Sequence, residues 1–277
     1  MSARYPRPYT GPVRAVIFDW AGTVVDHGCC APAGVFVQTF AKHGLEISVE
    51  QARGPMGVHK REHIRILLSL DPVRAQFERQ HRRGVSDADV DKIYADATRL
   101  QIDCLKDYAD PIPGAVETIE WLRRRGIKIG SCTGYVTEMM AVLVPAAAAK
   151  GFRPDAWVCA SDVPTARPSP LMALLNLVRL DSWPVQACIK VGDTVADVEE
   201  GLNAGMWSVA VTLSGNEVGL TVDELTALRP EERESRRARA ADKLSRAGAH
   251  YVIDGVADLP AIVEDIESRL ARGEAPS

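Results

Sequence analysis

No apolar run in this chain approaches the ~18–20 residues that cross a bilayer. The N-terminal MSARYPRPYTGPV has no apolar centre of the kind a secretory signal needs, and it reads as a short, loosely held tail. A cytoplasmic protein with no membrane partner is the expectation. The cysteines at 29, 30, 104, 132, 159 and 188 show no paired spacing. That excludes a disulfide framework or a zinc-finger ligand set and predicts reduced thiols. Basic charge is not in excess either: 33 Lys and Arg face 37 Asp and Glu, for a net charge of −4 and a pI near 5.9. Such a chain has no electrostatic footprint for nucleic acid, so any phosphate-binding site must be assembled locally. Internal repeats and low-complexity segments are also missing.

What is present alternates. Short β-branched runs at Val13–Phe18, Ile127–Cys132, Ala156–Ala160, Ala187–Val191, Trp207–Thr212 and Tyr251–Ile253 predict buried parallel strands. Helical patterns at Ala115–Arg125, Glu138–Lys150, Leu171–Leu180, Val198–Ala204 and Leu259–Arg272 separate the later strands. The fold class this implies is α/β, a doubly wound parallel sheet. One stretch has no strand. Between about Cys30 and Lys106 the pattern is helical, near Gly34–His43, Val58–Leu70, Pro72–Arg82 and Asp87–Lys106. It reads as an inserted α-helical cap domain over residues 29–106, above a core made of residues 1–28 and 107–277. The charge-rich segment around Arg229–Arg239 predicts a solvated surface helix.

Four motifs sit at strand ends, where open α/β sheets place their ligands. Asp19 follows the first strand, with Gly22 and Thr23 behind it. Ser131-Cys132-Thr133-Gly134 ends the second, where a hydroxyl and a glycine N–H can hold a phosphoryl oxygen. Arg167, in Arg-Pro-Ser-Pro before a helix, offers a planar multi-donor cation. Asp193 and Asp197, four apart after Gly192, suit a hard cation with oxygen ligands. Each motif alone has a bland reading as a cap, a turn or a surface charge.

In this order the four motifs resemble the haloacid dehalogenase superfamily. The resemblance implies that Asp19 is a nucleophile that forms an aspartyl-phosphate, and that Mg²⁺ is held by Asp19, the Ala21 carbonyl and Asp193. Asp197 lies nearby, through water or as a support. Most phosphatases of that superfamily read Asp-x-Asp, and the second Asp serves as general acid. Here it is Ala21, which cannot protonate an alkoxide. A carbanion leaving group, stabilised through a lysine imine, needs no such acid.

Asp19-Trp20-Ala21-Gly22-Thr23 is the form found in the phosphonoacetaldehyde hydrolase family. The segment from Ala52 to Gly57, followed by Lys60 and His63, resembles the cap segment of that family. The resemblance implies that Lys60 forms the Schiff base. It also places Met56, Thr133, Gly134, Tyr135, Arg167 and His63 in substrate binding or proton relay, with Arg53 and His59 close to the lysine. The activity implied is C–P cleavage of phosphonoacetaldehyde to acetaldehyde and phosphate, by a homodimer joined through cap helices. The alternative within enzymes is a Mg²⁺-dependent phosphatase or phosphomutase of the same superfamily, against which Ala21 argues. A dehalogenase would not need the Asp193/Asp197 pair, and a catalytically dead binding protein would not need all four motifs.

Overall fold

The computed structural model describes residues 8–276. Residues 1–7 of the expected loose tail lie outside that range. The rest of that segment is pinned to the core. Val13 is buried with its N–H on the Glu267 carboxylate at 3.3 Å, and the Tyr9 hydroxyl donates to the Pro12 carbonyl at 2.7 Å.

Six strands form one parallel sheet: β1 (Ala15–Phe18), β2 (Lys128–Thr133), β3 (Ala156–Cys159), β4 (Cys188–Gly192), β5 (Trp207–Val211) and β6 (Tyr251–Ile253). Their spatial order is β3-β2-β1-β4-β5-β6. The chain winds outward to one side from β1, returns beside it, and winds outward to the other. The switch point therefore lies between β1 and β4, where such sheets bind ligands beyond the strand ends. All four residues of β1 and all five of β4 are buried, as strands covered on both faces must be.

Alternation along β1 divides its side chains between two layers. Val16 and Phe18 join the cluster beneath α6 (Ala115–Arg124), α7 (Thr137–Ala149) and α12 (Leu259–Ala271). Ala15 and Ile17 join the opposite cluster beneath α8 (Leu171–Arg179). On that face α9 (Val195–Asn203) and α11 (Pro230–Arg246) close over β5 through Val198, Leu244 and Ala210. In α11 only Ala240 and Leu244 are buried, in keeping with a solvated helix.

Residues 30–104 form five helices: α1 (Cys30–Lys42), α2 (Val49–Arg53), α3 (Lys60–Ser69), α4 (Asp71–His81) and α5 (Asp87–Cys104). They enclose a hydrophobic cluster of their own around Phe36, Phe40, Ile64, Leu67, Phe77 and Ile93. The short α2 is not legible as a helix in the hydrophobic pattern. Its start is fixed by a capping box, with the Ser48 hydroxyl accepting from Gln51 N–H and the Gln51 side chain accepting from Ser48 N–H. The short helix α10 (Val222–Ala227) completes the set. All six cysteines are free, and among the described residues no helix is long and apolar enough to cross a membrane.

Candidate active site

The four motifs converge above the switch point. Asp19, Ala21, Met56, Gly57, Lys60, Thr133, Gly134, Tyr135, Arg167, Asp193, Thr194 and Asp197 line a single pocket, with Cys29, Pro32 and Val58. The free space at its centre is small, ≈ 30 Å³, room for on the order of one or two waters. Lys60 and Asp19 are each only 6% exposed. The helical segment thus lies closed over the sheet.

Arg167 organises the floor. Its Nη1 donates to Asp19 Oδ1 at 2.7 Å and lies 3.0 Å from Asp197 Oδ1. Its Nε donates to Glu200 Oε2 at 2.8 Å, and its Nη2 to the Cys132 carbonyl at 2.8 Å. Buried among three carboxylates, it keeps its proton well beyond the usual range. Lys190, fully buried in β4, donates to Asp197 Oδ1 at 2.6 Å. Burial pushes the Asp19 carboxyl up to about 6, helped by Asp197 and opposed by Arg167, so it is ionised at neutral pH.

The carboxylates of Asp19, Asp193 and Asp197 bring one oxygen each within 4.8 Å of one another. They are not equivalent. Asp197 Oδ1 is taken by Lys190 and Arg167, and Oδ2 by the Thr194 hydroxyl at 2.5 Å in the capping box that opens α9. These partners hold its carboxyl below the ordinary range despite burial. Asp193 accepts from Asn216 N–H at 2.7 Å and makes no ion pair among the described residues. Burial first, then Asp19 and Asp197, drive its carboxyl well above the ordinary range. A buried carboxylate facing a second one without a cation is the arrangement a divalent ion relieves. The all-oxygen donor set fits a hard cation at Asp19 and Asp193, with Asp197 as support. Gly22 lets this happen: at φ +87° a Cβ there would come 2.2 Å from Asp193 Oδ2.

Lys60 enters from above, as the first residue of α3. Its Nζ lies 5.2 Å from the Phe36 and Tyr135 ring centres and 3.9 Å from Met56 Sδ. The rings favour the ammonium, but loss of water outweighs them and lowers its pKa to about 8. Tyr135 stays a neutral phenol, its pKa raised by burial.

Some expected neighbours of Lys60 do not line the pocket. His63 is not in the pocket wall. It is fully buried, stacks on Phe36 at 4.0 Å between ring centres, and bonds the Ala52 carbonyl through Nε2 at 2.8 Å. Burial and then Lys60 lower its pKa to about 3, so it is neutral. His59 caps α3 by accepting from Arg61 N–H at 3.2 Å. The Arg53 guanidinium is bonded to carbonyls away from the lysine, at Gly28 and Gly219. Ser131 turns its hydroxyl to the Trp20 indole, at 2.9 Å, instead of to the pocket.

Lys190 opens the Lys-Val-Gly-Asp-Thr segment that ends at Thr194, but Glu200, Asn216 and Asp26 carry no motif in the sequence. Of these only Glu200 has a readable signal, three residues after Asp197 on one helix face. Asp26 accepts from Cys30 and Ala31 N–H, each at 3.0 Å, and so caps α1.

The family model of haloacid dehalogenase-like hydrolases matches residues 13–205. A phosphonoacetaldehyde hydrolase of Nitratidesulfovibrio vulgaris is 49% identical over 270 residues, 98% of this chain and 96% of that protein. One of Hahella chejuensis is 48% identical over 276 residues, 100% of this chain and 94% of that protein. The crystal structure of a phosphonoacetaldehyde hydrolase-like protein from Oleispira antarctica superposes with a TM-score of 0.97 at 41% identity, over 100% of both chains. A β-phosphoglucomutase of Clostridium difficile, at 17% identity and a TM-score of 0.63 over 93% of this chain and 98% of that one, shares the fold. The chain belongs to the haloacid dehalogenase-like hydrolases and, within them, to the phosphonoacetaldehyde hydrolase family.

Proposed function

We propose that this enzyme cleaves phosphonoacetaldehyde to acetaldehyde and phosphate, with Lys60 and Asp19 dividing the work. One observation carries the reading. A desolvated lysine with a pKa near 8 shares a closed pocket with Asp19 and Arg167, and Ala21 stands where an ester phosphatase of the superfamily has its acid. Residues 29–106 serve as the cap and residues 1–28 with 107–277 as the core.

Neutral Lys60 adds to the aldehyde and, with uptake of one proton from solvent and loss of water, gives an iminium. Asp19 then attacks phosphorus. The C–P bonding pair moves toward the iminium nitrogen, leaving an enamine on Lys60 and an acyl phosphate on Asp19. Proton return to the enamine carbon and addition of water release acetaldehyde and free the amine. A second water hydrolyses the aspartyl-phosphate. Arg167 neutralises the phosphoryl charge, with Thr133 and Gly134 donating to its oxygens. Asp19, Asp193 and the Ala21 carbonyl would hold Mg²⁺, which would supply further charge neutralisation for the phosphoryl group. Met56 and the Tyr135 ring exclude water around the imine. Neutral His63, fixed on the Ala52 carbonyl and Phe36, supports α3 beside Lys60. The family resemblance supports a cytoplasmic homodimer joined through the cap.

The test is twofold. Phosphate release from phosphonoacetaldehyde should exceed release from p-nitrophenyl phosphate by orders of magnitude. Borohydride added with acetaldehyde should leave an ethyl group on Lys60, read by peptide mass. A preference for the ester, or a label on Lys128 or Lys190 in place of Lys60, sinks the proposal.

A further inference from the structure

Lys60 is delivered to the pocket by the turn beyond α2, and that turn is tied to the core at one residue. Arg53 ends α2. Its Nη1 donates to the Gly28 carbonyl at 2.6 Å and reaches Asn216 Oδ1 at 3.2 Å and the Cys29 carbonyl at 3.4 Å. Its Nη2 donates to the Gly219 carbonyl at 3.1 Å. Only a planar fork with several donors can serve acceptors spread over two core segments at once. Asn216 answers in kind, its Nδ2 donating to the Arg53 carbonyl at 3.2 Å. That carbonyl also takes Met56 N–H at 3.1 Å, which shapes the turn.

The same Asn216 gives its backbone N–H to Asp193 Oδ2. An unbroken run of bonds thus joins Asp193 to the turn that carries Met56 and opens into Lys60. The surfaces are cut to allow it. At Gly219, φ +67°, a Cβ would stand 2.7 Å from the guanidinium carbon. At Gly57, φ +95°, it would stand 2.4 Å from the Thr194 hydroxyl. A side chain at either place would hold the two halves apart.

We propose that Arg53 is a positioning residue that, gripped by Asn216, registers the turn bearing Lys60 onto the loop that holds Asp193. The lysine is thereby set against Asp19 in a closed pocket. This rests on the reading of Lys60 as the imine-forming residue. Arg53 touches neither substrate nor reacting atoms, so its loss acts through the surroundings of the amine. Those surroundings comprise Asp19 and Arg167 from the core, Asp26 and Cys29 from the segment before α1, Tyr135 ahead of α7, and His59 and His63 at and within α3. None of these residues is replaced in an Arg53 variant, and loss of the guanidinium charge raises the Asp26 carboxyl and the Cys29 thiol further.

The experiment measures the pH dependence of acetaldehyde trapping by borohydride at Lys60, in the intact protein with Mg²⁺. Wild type should trap with a midpoint near 8. In Arg53→Ala water re-enters, and the midpoint should climb by about one unit or more. The kcat for C–P cleavage should fall roughly 100-fold, as a misplacement on the order of 1 Å implies. Added guanidinium ion should restore part of both. Arg53→Lys keeps the charge but not the fork and should behave like the alanine variant. If Arg53→Ala does not fold, Arg53→Lys carries the measurement. A wild-type midpoint in a folded variant, or kcat lost with no change in trapping and no rescue, overturns the proposal for Arg53 alone. Failure of wild type itself to trap on Lys60 overturns the functional reading beneath it.

Discussion

Lys60 is costly where it stands. Its folded pKa, about 8, lies below the ordinary lysine value of 10.5. Between those values the unfolded chain holds a proton that the folded chain has released, so stability rises with pH across the window. Below pH 8 the full deficit applies, on the order of 3 kcal/mol. Above pH 10.5 it is gone. Lys60→Met, similar in shape and seated among Met56, Phe36 and Tyr135, should therefore abolish C–P cleavage and yet stabilise the protein. Urea unfolding at pH 7 should show a gain approaching ~3 kcal/mol, shrinking as pH rises past 8. A gain that does not vary with pH would mean that the amine is not desolvated. At this scale the sequence is most legible where chemistry demands a residue type: Asp19, Thr133, Arg167 and Asp193 all reach one pocket. It is least legible where a backbone atom or a distant loop supplies the partner. Nothing in the sequence near Asn216 shows that its N–H will meet Asp193. His63 reads as a relay because i+3 spacing from Lys60 suggests a shared face, yet packing against Phe36 turns it into the helical core.

At the scale of elements, the ends of β1 and β4 present two carboxylates toward one another across the switch point. In EDTA only Arg167, on the Asp19 side, offsets that repulsion. Asp193→Asn removes one of the charges, so the metal-free variant should melt higher than metal-free wild type. Adding Mg²⁺ at about 100 times its Kd should raise wild-type stability by roughly 2.7 kcal/mol and leave the variant unmoved. Differential scanning calorimetry reads both arms, and equal Mg²⁺ shifts in the two proteins would remove Asp193 from the ligand set. The strands themselves are readable to within a residue or two at each end, because burial on both faces keeps β1, β3 and β5 almost wholly apolar, while β2 and β4 are found by their place between helices. Helix α2 is hidden because five residues give no period, and its signal lies in the Ser48–Gln51 box.

For the whole molecule, a pocket this closed must open to admit a substrate. The segments that join the helices to the sheet, around Asp26–Cys29 and Leu105–Ala109, are the places for that motion. Limited proteolysis should nick there in the free enzyme, and Mg²⁺ with vanadate, a phosphoryl mimic, should slow it several-fold. Cleavage at an unchanged rate would argue against opening at these joints. The cysteines, scattered without apparent purpose in the sequence, take on another meaning at this scale. Burial raises the thiols of Cys29, Cys30, Cys104, Cys132 and Cys188 above their ordinary range, the last two to about 12. Protonated thiols are poor nucleophiles. Lysines, the other soft target, number eight among the 33 basic residues, the remainder being arginine. An enzyme that releases acetaldehyde inside a closed cavity works beside a reactive electrophile of its own making. Among the described residues, the lysine whose pKa is lowered is the one that needs the aldehyde.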